Sequence, residues 1–319
     1  MPFPSLTRAT PFFIVFNAAS GSGDKRRNQA DMARILGEAG QRHEFLLIRH
    51  PGQIDEIAQR AADAAAKHDG AVIVAGGDGT INTVVAAVLP TGRPCGIVPQ
   101  GTFNYSSRAH SIPLDTVPAT QALLDARIKP VQVGRVNERI FLVNASLGLY
   151  PQLLQDRENY KQQYGRKRIV AVWAGIRTML RYRGQLVLDI EHDGERESVR
   201  TPTLFVGNNP LQLEQVGLPE AEAVQHRQLA ALIIKPISGA AMLWLGIRGA
   251  LGKLGEADNV RDFAFRHMKV EAQRTGSSRG IKVATDGEIC WMRGPLEFSV
   301  APQSLLLIVP VDAPDGLPA

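Results

Sequence analysis

Two of the Asp-Gly pairs in this chain stand in stretches whose residue types could do chemistry. Asp78 lies in "AVIVAGGDGTINTVVAAVL", Ala71 to Leu89, and Asp286 lies in "TDGE", Thr285 to Glu288. A carboxylate in a glycine turn has two chemical uses. It can hold a cation against phosphate oxygens, or it can take a proton from an attacking hydroxyl. Both belong to phosphoryl transfer, where positioning and charge neutralisation carry most of the catalysis. The plainer reading of each is a turn alone, since Asp-Gly suits the primed turns of antiparallel hairpins.

The flanking residues separate the two cases. "AVIVA" is a continuous apolar run, as in a strand buried on both faces. Beyond the turn, Ile81, Val84, Val85 and Val88 recur at helical spacing. The first turn therefore joins a parallel strand to a helix. There, glycines let backbone N–H groups close on an anion, and the helix N-terminus adds partial positive charge. Thr80 is placed to cap the helix or to donate to a phosphate oxygen. Asp78 would sit beside those phosphates either with a bridging cation or as acceptor of a proton from an incoming hydroxyl. "TDGE" lies between the strand-like "IKVA" and "ICW". By itself it reads as a hairpin whose tip carries Asp286 and Glu288.

Two further small-residue turns fall where the same site should be. "FNAASGSG", Phe16 to Gly23, offers Asn17, Ser20, Gly21 and Ser22. "PQGTFNYSSR", Pro99 to Arg108, offers Gly101, Thr102 and Asn104. Neither is specific alone. Together with Gly76, Gly77, Asp78, Gly79, Thr80 and Asn82, at the carboxyl ends of parallel strands, they predict a nucleotide crevice. The P-loop, the full GxGxxG fingerprint and the protein-kinase motifs are all missing.

The elements that position these loops follow from periodicity. "FFIVFN", "EFLLIR", "AVIVA" and "CGIVPQG" read as strands. Between them run helical patterns, one with Met32, Ile35, Leu36 and Ala39 on one face and another in "QIDEIAQRAADAAAKH". This alternation predicts an α/β N-terminal domain with a parallel sheet, over about residues 10–128. From near Ile128 the pattern turns strand-rich: "VQVGRVN", "RIFLVNASLG", "QLVLDIEH", "TLFVGNN", "LAALIIKP", "HMKVEAQ" and "LEFSVAP". An all-β antiparallel sandwich is expected over about 129–302, with a last strand at about 303–312 packing back on the first domain. Helical patterns at Gln152–Tyr182 and about Gly239–Leu254 interrupt it.

Composition narrows the class. The 319 residues are enough for two ordinary domains, and 44% hydrophobic with 21% charged is a globular balance. Net charge +5 suits anionic partners without choosing among them. The two cysteines, Cys95 and Cys290, have no metal-ligand spacing, which points to a reducing compartment. "PFFIVF" reads as a first buried strand rather than a signal peptide.

With these residues in view, the chain resembles the diacylglycerol kinase catalytic-domain family, which includes sphingosine kinases and is related to NAD kinases. The resemblance is carried by "NAASG", "GGDGTIN", "PQGTFN" and "TDGE" in that order. It implies an NAD kinase/diacylglycerol kinase-like fold and an ATP-dependent lipid kinase that moves the γ-phosphoryl of Mg-ATP to a lipid hydroxyl such as that of diacylglycerol. It further implies ATP contacts from Asn17, Gly76 to Asn82 and Thr102, and a proton acceptor within the "DGE" tripeptide. Glu288 is the expected acceptor, with Asp286 and Asp78 supporting metal and hydroxyl.

The chain departs from the family pattern in places. Ala18 replaces the usual proline after Asn17, and Tyr105 replaces an acid after "GTFN". Many bacterial relatives hold a structural magnesium at an Asp-Asp-Gly turn. Here that region reads Gln225, His226, Arg227, a poor donor set for a hard cation, so that metal is expected to be absent.

Gln155–Arg183 mixes basic residues with Trp173, Ile176, Met179, Leu180 and Tyr182. It reads either as a helix on an anionic membrane or as a helix packed on the β domain with a solvated basic edge, the second being favoured. "AAMLWLGIRGALGKLG" is a second amphipathic segment, with Trp244 suited to an interface. A lipid substrate, a cytoplasmic location and no nucleic-acid partner are expected, with peripheral contact at the anionic inner membrane face left open. A homodimer is left open. The rival readings are an NAD kinase-like enzyme with a soluble substrate and a nucleotide-binding regulator without turnover.

Overall fold

The computed structural model describes residues 6–7, 9–19, 24–102, 104–164, 184–218, 223–224, 226–273 and 280–313. The chain forms two compact units, one built from residues 1–133 and 301–319 and the other from 134–300.

In the first unit, apolar runs become strands and amphipathic runs become the helices between them. The strands are β1 (Phe12–Asn17), β2 (His43–Ile48), β3 (Ala71–Gly76), β4 (Cys95–Pro99), β5 (Ala126–Val131) and β18 (Leu305–Pro310). They form one sheet in the order β2-β1-β3-β4-β18-β5, parallel except for the antiparallel edge strand β5. Every residue of β1 and of β3 is buried, which is why both runs are apolar without alternation. The helices are α1 (Lys25–Glu38), α2 (Ile54–Lys67), α3 (Asp78–Val88), α4 (Tyr105–Ala109) and α5 (Thr116–Ala122). Met32 and Leu36 of α1 pack with Phe12, Ile14 and Phe16 of β1 and Ile73 of β3 in one core cluster. Between β2 and β3 in the chain, buried Ala58, Ala61, Ala62 and Ala65 give α2 a smooth face for close packing on β1 and α3.

The second unit is antiparallel throughout. Its first sheet has the order β10-β9-β14-β17-β6-β7, from β6 (Gly134–Val136), β7 (Arg139–Phe141), β9 (Leu186–His192), β10 (Glu195–Thr201), β14 (His267–Ala272) and β17 (Leu296–Val300). Its second has the order β13-β12-β11-β8-β15-β16, from β8 (Asn144–Gly148), β11 (Thr203–Gly207), β12 (Leu229–Ile234), β13 (Val260–Phe265), β15 (Ile281–Thr285) and β16 (Glu288–Met292). Side chains from both sheets, among them Phe141, Ile190, Met268 and Phe298 with Leu147, Leu204, Ile233 and Val283, make one buried layer. That layer defines a sandwich.

Helices α6 (Leu149–Tyr164), α7 (Pro210–Gln215) and α8 (Gly239–Ala250) cover the outer face of the second sheet. Leu149, Leu213, Met242 and Leu245 pack there on Ala230, Leu232 and Ile234. Strand β12 is accordingly buried on both faces, and its sequence "LAALII" does not alternate.

The structure corrects several segments. "RIFLVNASLG", read as one strand, breaks into β7 and β8, which belong to different sheets. "VQVGRVN" also splits, its Val131 ending β5 and its Gly134 starting β6. "ERESVRT", too polar to read as a strand, pairs along its whole length with β9. The helix expected over Gln152–Tyr182 starts earlier, at Leu149, and is described as far as Tyr164. Trp173, Ile176, Met179, Leu180 and Tyr182 lie outside the described residues.

Candidate active site

The strand order reverses at β1. Its two neighbours are β2 and β3, so the chain leaves β1 toward one edge and comes back on the other side. Loops after the strands at such a switch point splay apart and leave a crevice at their carboxyl ends. Asn17 ends β1, Gly76 ends β3 and Pro99 ends β4. The Asn17 side-chain amide donates to Thr80 Oγ1 at 2.7 Å, across the switch point, and both residues are buried. Thr80 is therefore not the helix cap that its position suggested. Gly77 occupies the N-cap with no side chain to offer, and Thr80 lies inside the first turn of α3. The first bond of α3 runs from the Ile81 N–H to the Gly77 carbonyl. The N–H groups of Asp78, Gly79 and Thr80 thus have no intrahelical acceptor, which is the arrangement that binds an anion.

Two glycines bring the loops after β3 and β4 together. A Cβ on Gly101 would lie 2.9 Å from the Gly77 Cα and 2.8 Å from Asn104 Oδ1. A Cβ on Gly76 would lie 2.7 Å from the Thr80 Cβ. The Gln100 N–H donates to the Gly76 carbonyl at 2.8 Å and ties the strand ends together. Asn104, in the left-handed region at φ 49°, closes the second loop on itself. Its Oδ1 accepts from the Gly101 N–H at 3.0 Å and its Nδ2 donates to the Gly101 carbonyl at 3.1 Å. Gly101→Ala should therefore push the two backbones apart. The expected cost is about 1–3 kcal/mol of stability from overpacking. Nucleotide affinity should fall with it. Thermal unfolding and calorimetric titration with ATP check both; an unchanged affinity would show that the loop contact is not part of the nucleotide site.

Asp78 meets the start of α4. The Asn104 N–H donates to Asp78 Oδ2 at 3.0 Å, while Oδ1 is buried with no hydrogen-bond partner. Burial raises the Asp78 pKa above the ordinary carboxylate value, and the backbone N–H groups of Asn104, Tyr105 and Ser106 oppose that shift. An orphaned carboxylate oxygen beside N–H groups that have no intrahelical acceptor fits a phosphate that arrives with its own cation. The raised pKa has a stability consequence. Ionised Asp78 disfavours the folded state, so its penalty is complete above the folded pKa and vanishes below the ordinary carboxylate value. Asp78→Asn should hence raise the melting temperature at neutral pH, with the gain shrinking as the pH falls through that window. A gain that persisted in acid would point to another cause.

The other predicted contacts fall as follows. Asn82 is buried within α3 and Thr102 is exposed on the loop after β4. Ser20 and Gly21 lie outside the described residues. Sequence reasoning missed Lys25, the first residue of α1. Its Nζ donates to Gln100 Oε1 at 2.7 Å, and burial pulls its pKa down. A cation in the first turn opposes the helix dipole, so its place there suits an anion more than the helix. The available signal was "DKRR" directly after the glycine-rich loop.

In the second unit, "TDGE" forms a two-residue hairpin turn between β15 and β16. Asp286 at φ 48° and Gly287 at φ 86° have the two positive angles of the type I′ geometry. Asp286 does not stand at the tip as a loose acid. Its carboxylate accepts from the backbone N–H groups of Leu142 at 2.6 Å, Val143 at 2.8 Å and Asn144 at 2.9 Å. These bonds hold the corner where the chain passes from β7 to β8, which explains why "RIFLVNASLG" cannot run as one strand. Glu288 is half-exposed and accepts from the Arg139 guanidinium at 2.6 Å. Among the described residues, no group of three or more His, Cys, Asp or Glu side chains is arranged to hold a metal ion. His226 and Arg227 are described and Gln225 is not.

The glycine-built anion cradle thus belongs to the mostly parallel α/β unit, and the Asp286–Glu288 hairpin to the antiparallel sandwich. Residues 11–136 match the model of the diacylglycerol kinase catalytic domain. Over 94% of the chain the sequence is 27% identical to an uncharacterized Synechocystis protein, covering 70% of it. It is 32% identical over 44% of the chain to a diacylglycerol kinase of Staphylococcus haemolyticus, and the match spans 42% of that kinase. The fold superposes on a crystal structure of a diacylglycerol kinase from Bacillus anthracis with TM-score 0.69 at 19% identity, covering 96% of this chain and 98% of that one. Among the described residues no helix is long and apolar enough to cross a membrane.

Proposed function

We propose that the protein is an ATP-dependent lipid kinase that phosphorylates a lipid hydroxyl such as that of diacylglycerol. The observation that carries this reading is the cradle itself: N–H groups without an intrahelical acceptor at the start of α3, the Gly77–Gly101 approach and the unpartnered Asp78 oxygen. The family match over residues 11–136 supports a kinase. When bound, Mg-ATP supplies the γ-phosphoryl group and the metal charge that neutralises it.

The residues of the chain divide the work. The N–H groups of Asp78, Gly79 and Thr80 bind phosphate oxygens, and Asn17 fixes the Thr80 side chain beside them. Asp78, whose Oδ1 has no hydrogen-bond partner, would hold the metal. Lys25 adds a cation on a flexible stem. Thr102, Asn104 and the loop of Ser20 and Gly21 complete the nucleotide contacts. Glu288 takes the proton of the lipid hydroxyl as its oxygen attacks phosphorus. Asp286 supports Glu288 by holding the turn that carries it.

Helix α8 favours a lipid acceptor. Ala240, Trp244, Ile247 and Leu251 make an apolar stripe on its outer side, with Trp244 60% and Leu251 68% exposed, while Met242 and Leu245 are buried beneath. A helix apolar on both sides is at home against an acyl-chain boundary. We assign this stripe to peripheral contact with an anionic membrane, consistent with the net charge of +5.

The test is transfer of labelled phosphate from ATP to diacylglycerol in anionic vesicles, run beside the same assay with NAD as acceptor. Label in the lipid supports the proposal. Label in NAD would replace it with the soluble-substrate reading. ATP binding without label in either would make the protein a nucleotide-binding regulator.

A further inference from the structure

We propose that Arg139 is the positioning residue for Glu288, holding one carboxylate oxygen so that the other points its lone pairs at the acceptor hydroxyl. The inference rests on the reading of Glu288 as proton acceptor and adds the residue that aims it.

The geometry is a three-membered relay across the sandwich. Arg139 opens β7, the edge strand of one sheet, and Glu288 opens β16, the edge strand of the other. The Arg139 Nε–H donates to Thr285 Oγ1 at 2.8 Å, and a terminal guanidinium nitrogen donates to Glu288 Oε2 at 2.6 Å. Thr285 is 1% exposed, and it is the register partner of Glu288 in the hairpin. The buried hydroxyl therefore fixes the plane of the guanidinium, and the guanidinium fixes the carboxylate. Asp286 anchors the turn between them through its three backbone bonds.

The ordinary alternative is a surface ion pair. Arg139 and Glu288 are 38% and 46% exposed, and pairs of that kind contribute little to stability. Stability alone thus gives small reason for a fork held by a buried hydroxyl. Aim gives a better one. Glutamate has three rotatable bonds, and a base free to wander rarely meets its proton in line. Arg139 contacts Oε2 only, which leaves Oε1 for the hydroxyl. In the reaction the acceptor oxygen forms its bond to the γ-phosphorus as the bridging P–O bond to ADP breaks. The hydroxyl proton passes to Glu288 Oε1 and the electron pair leaves with ADP.

Four single variants and one double variant test this with the full chain, diacylglycerol vesicles and ATP. Arg139→Gln should lower kcat about 10- to 100-fold, the scale of a slightly misplaced catalytic group, with the KM for ATP and the melting temperature unchanged. Arg139→Lys keeps the charge but not the planar fork, and should recover only part of kcat. Thr285→Val keeps charge and shape while releasing the fork, and should lower kcat several-fold. If Arg139 acts through Glu288, adding Arg139→Gln to Glu288→Gln should cost nothing more. An Arg139→Gln enzyme with full kcat, beside a Glu288→Gln enzyme that has lost it, would overturn the positioning role and leave the proton acceptor in place. So would an equal loss from Arg139→Gln in both backgrounds. Full turnover in Glu288→Gln would instead reject the acceptor, and the positioning role with it.

Discussion

Glu288→Gln is expected to lower phosphoryl transfer by about 10²- to 10⁴-fold, the usual contribution of a positioned general base, while ATP binding stays intact. The expectation follows from chemistry and placement together. A lipid alcohol is a very weak acid, so its oxygen attacks phosphorus well only if its proton has somewhere to go. Of the two acids on the hairpin, Asp286 is committed to three backbone N–H groups, whereas Glu288 is half-exposed and engaged through one oxygen. Glutamine keeps the size and the hydrogen bond to Arg139 but cannot accept a proton. Transfer kinetics with vesicles, paired with calorimetric ATP binding, separate the two effects. Turnover at the parent rate would end the assignment of Glu288; a parallel loss of ATP affinity would move it to a binding role.

Asp286→Ala is expected to be the most damaging single change in the second unit. It leaves the N–H groups of Leu142, Val143 and Asn144 without their acceptor, and Val143 and Asn144 are buried. Each buried donor left unpaired costs about 1–3 kcal/mol, and water at the rim offsets part, so a total of about 3 kcal/mol or more is expected. Alanine also fits poorly at φ 48°, where aspartate and asparagine are tolerated. Asp286→Asn, which keeps one acceptor oxygen and the backbone preference, should fall between. Urea unfolding of the three proteins measures the order. If Asp286→Ala unfolded at the parent midpoint and lost only turnover, Asp286 would be a participant in the chemistry and the clamp incidental.

These two outcomes divide a motif that looks uniform in sequence. Asp and Glu two apart in "TDGE" are chemically similar, and nothing local ranks them. The partners that rank them, Arg139 and the 142–144 backbone, are more than 140 positions away. The same holds in the first unit. Asp78 was readable from its glycines, but Lys25 was not singled out, because its partner Gln100 is reached only through the fold. Thr80 was readable as polar and near the helix start, yet its actual partner is Asn17 on another strand.

By itself the sequence determined what local physics can determine. Continuous apolar runs gave the buried parallel strands, helical spacing gave α1 to α3, and Asp-Gly gave the I′ turn at 286–287. These depend on residues a few positions apart, so composition and period suffice. Tertiary structure alone decided where "RIFLVNASLG" breaks, which loop backbones touch at Gly77 and Gly101, and which acid is a clamp. Each of those outcomes pairs groups distant in the chain, and their energies exist only once the sheets have brought the groups together.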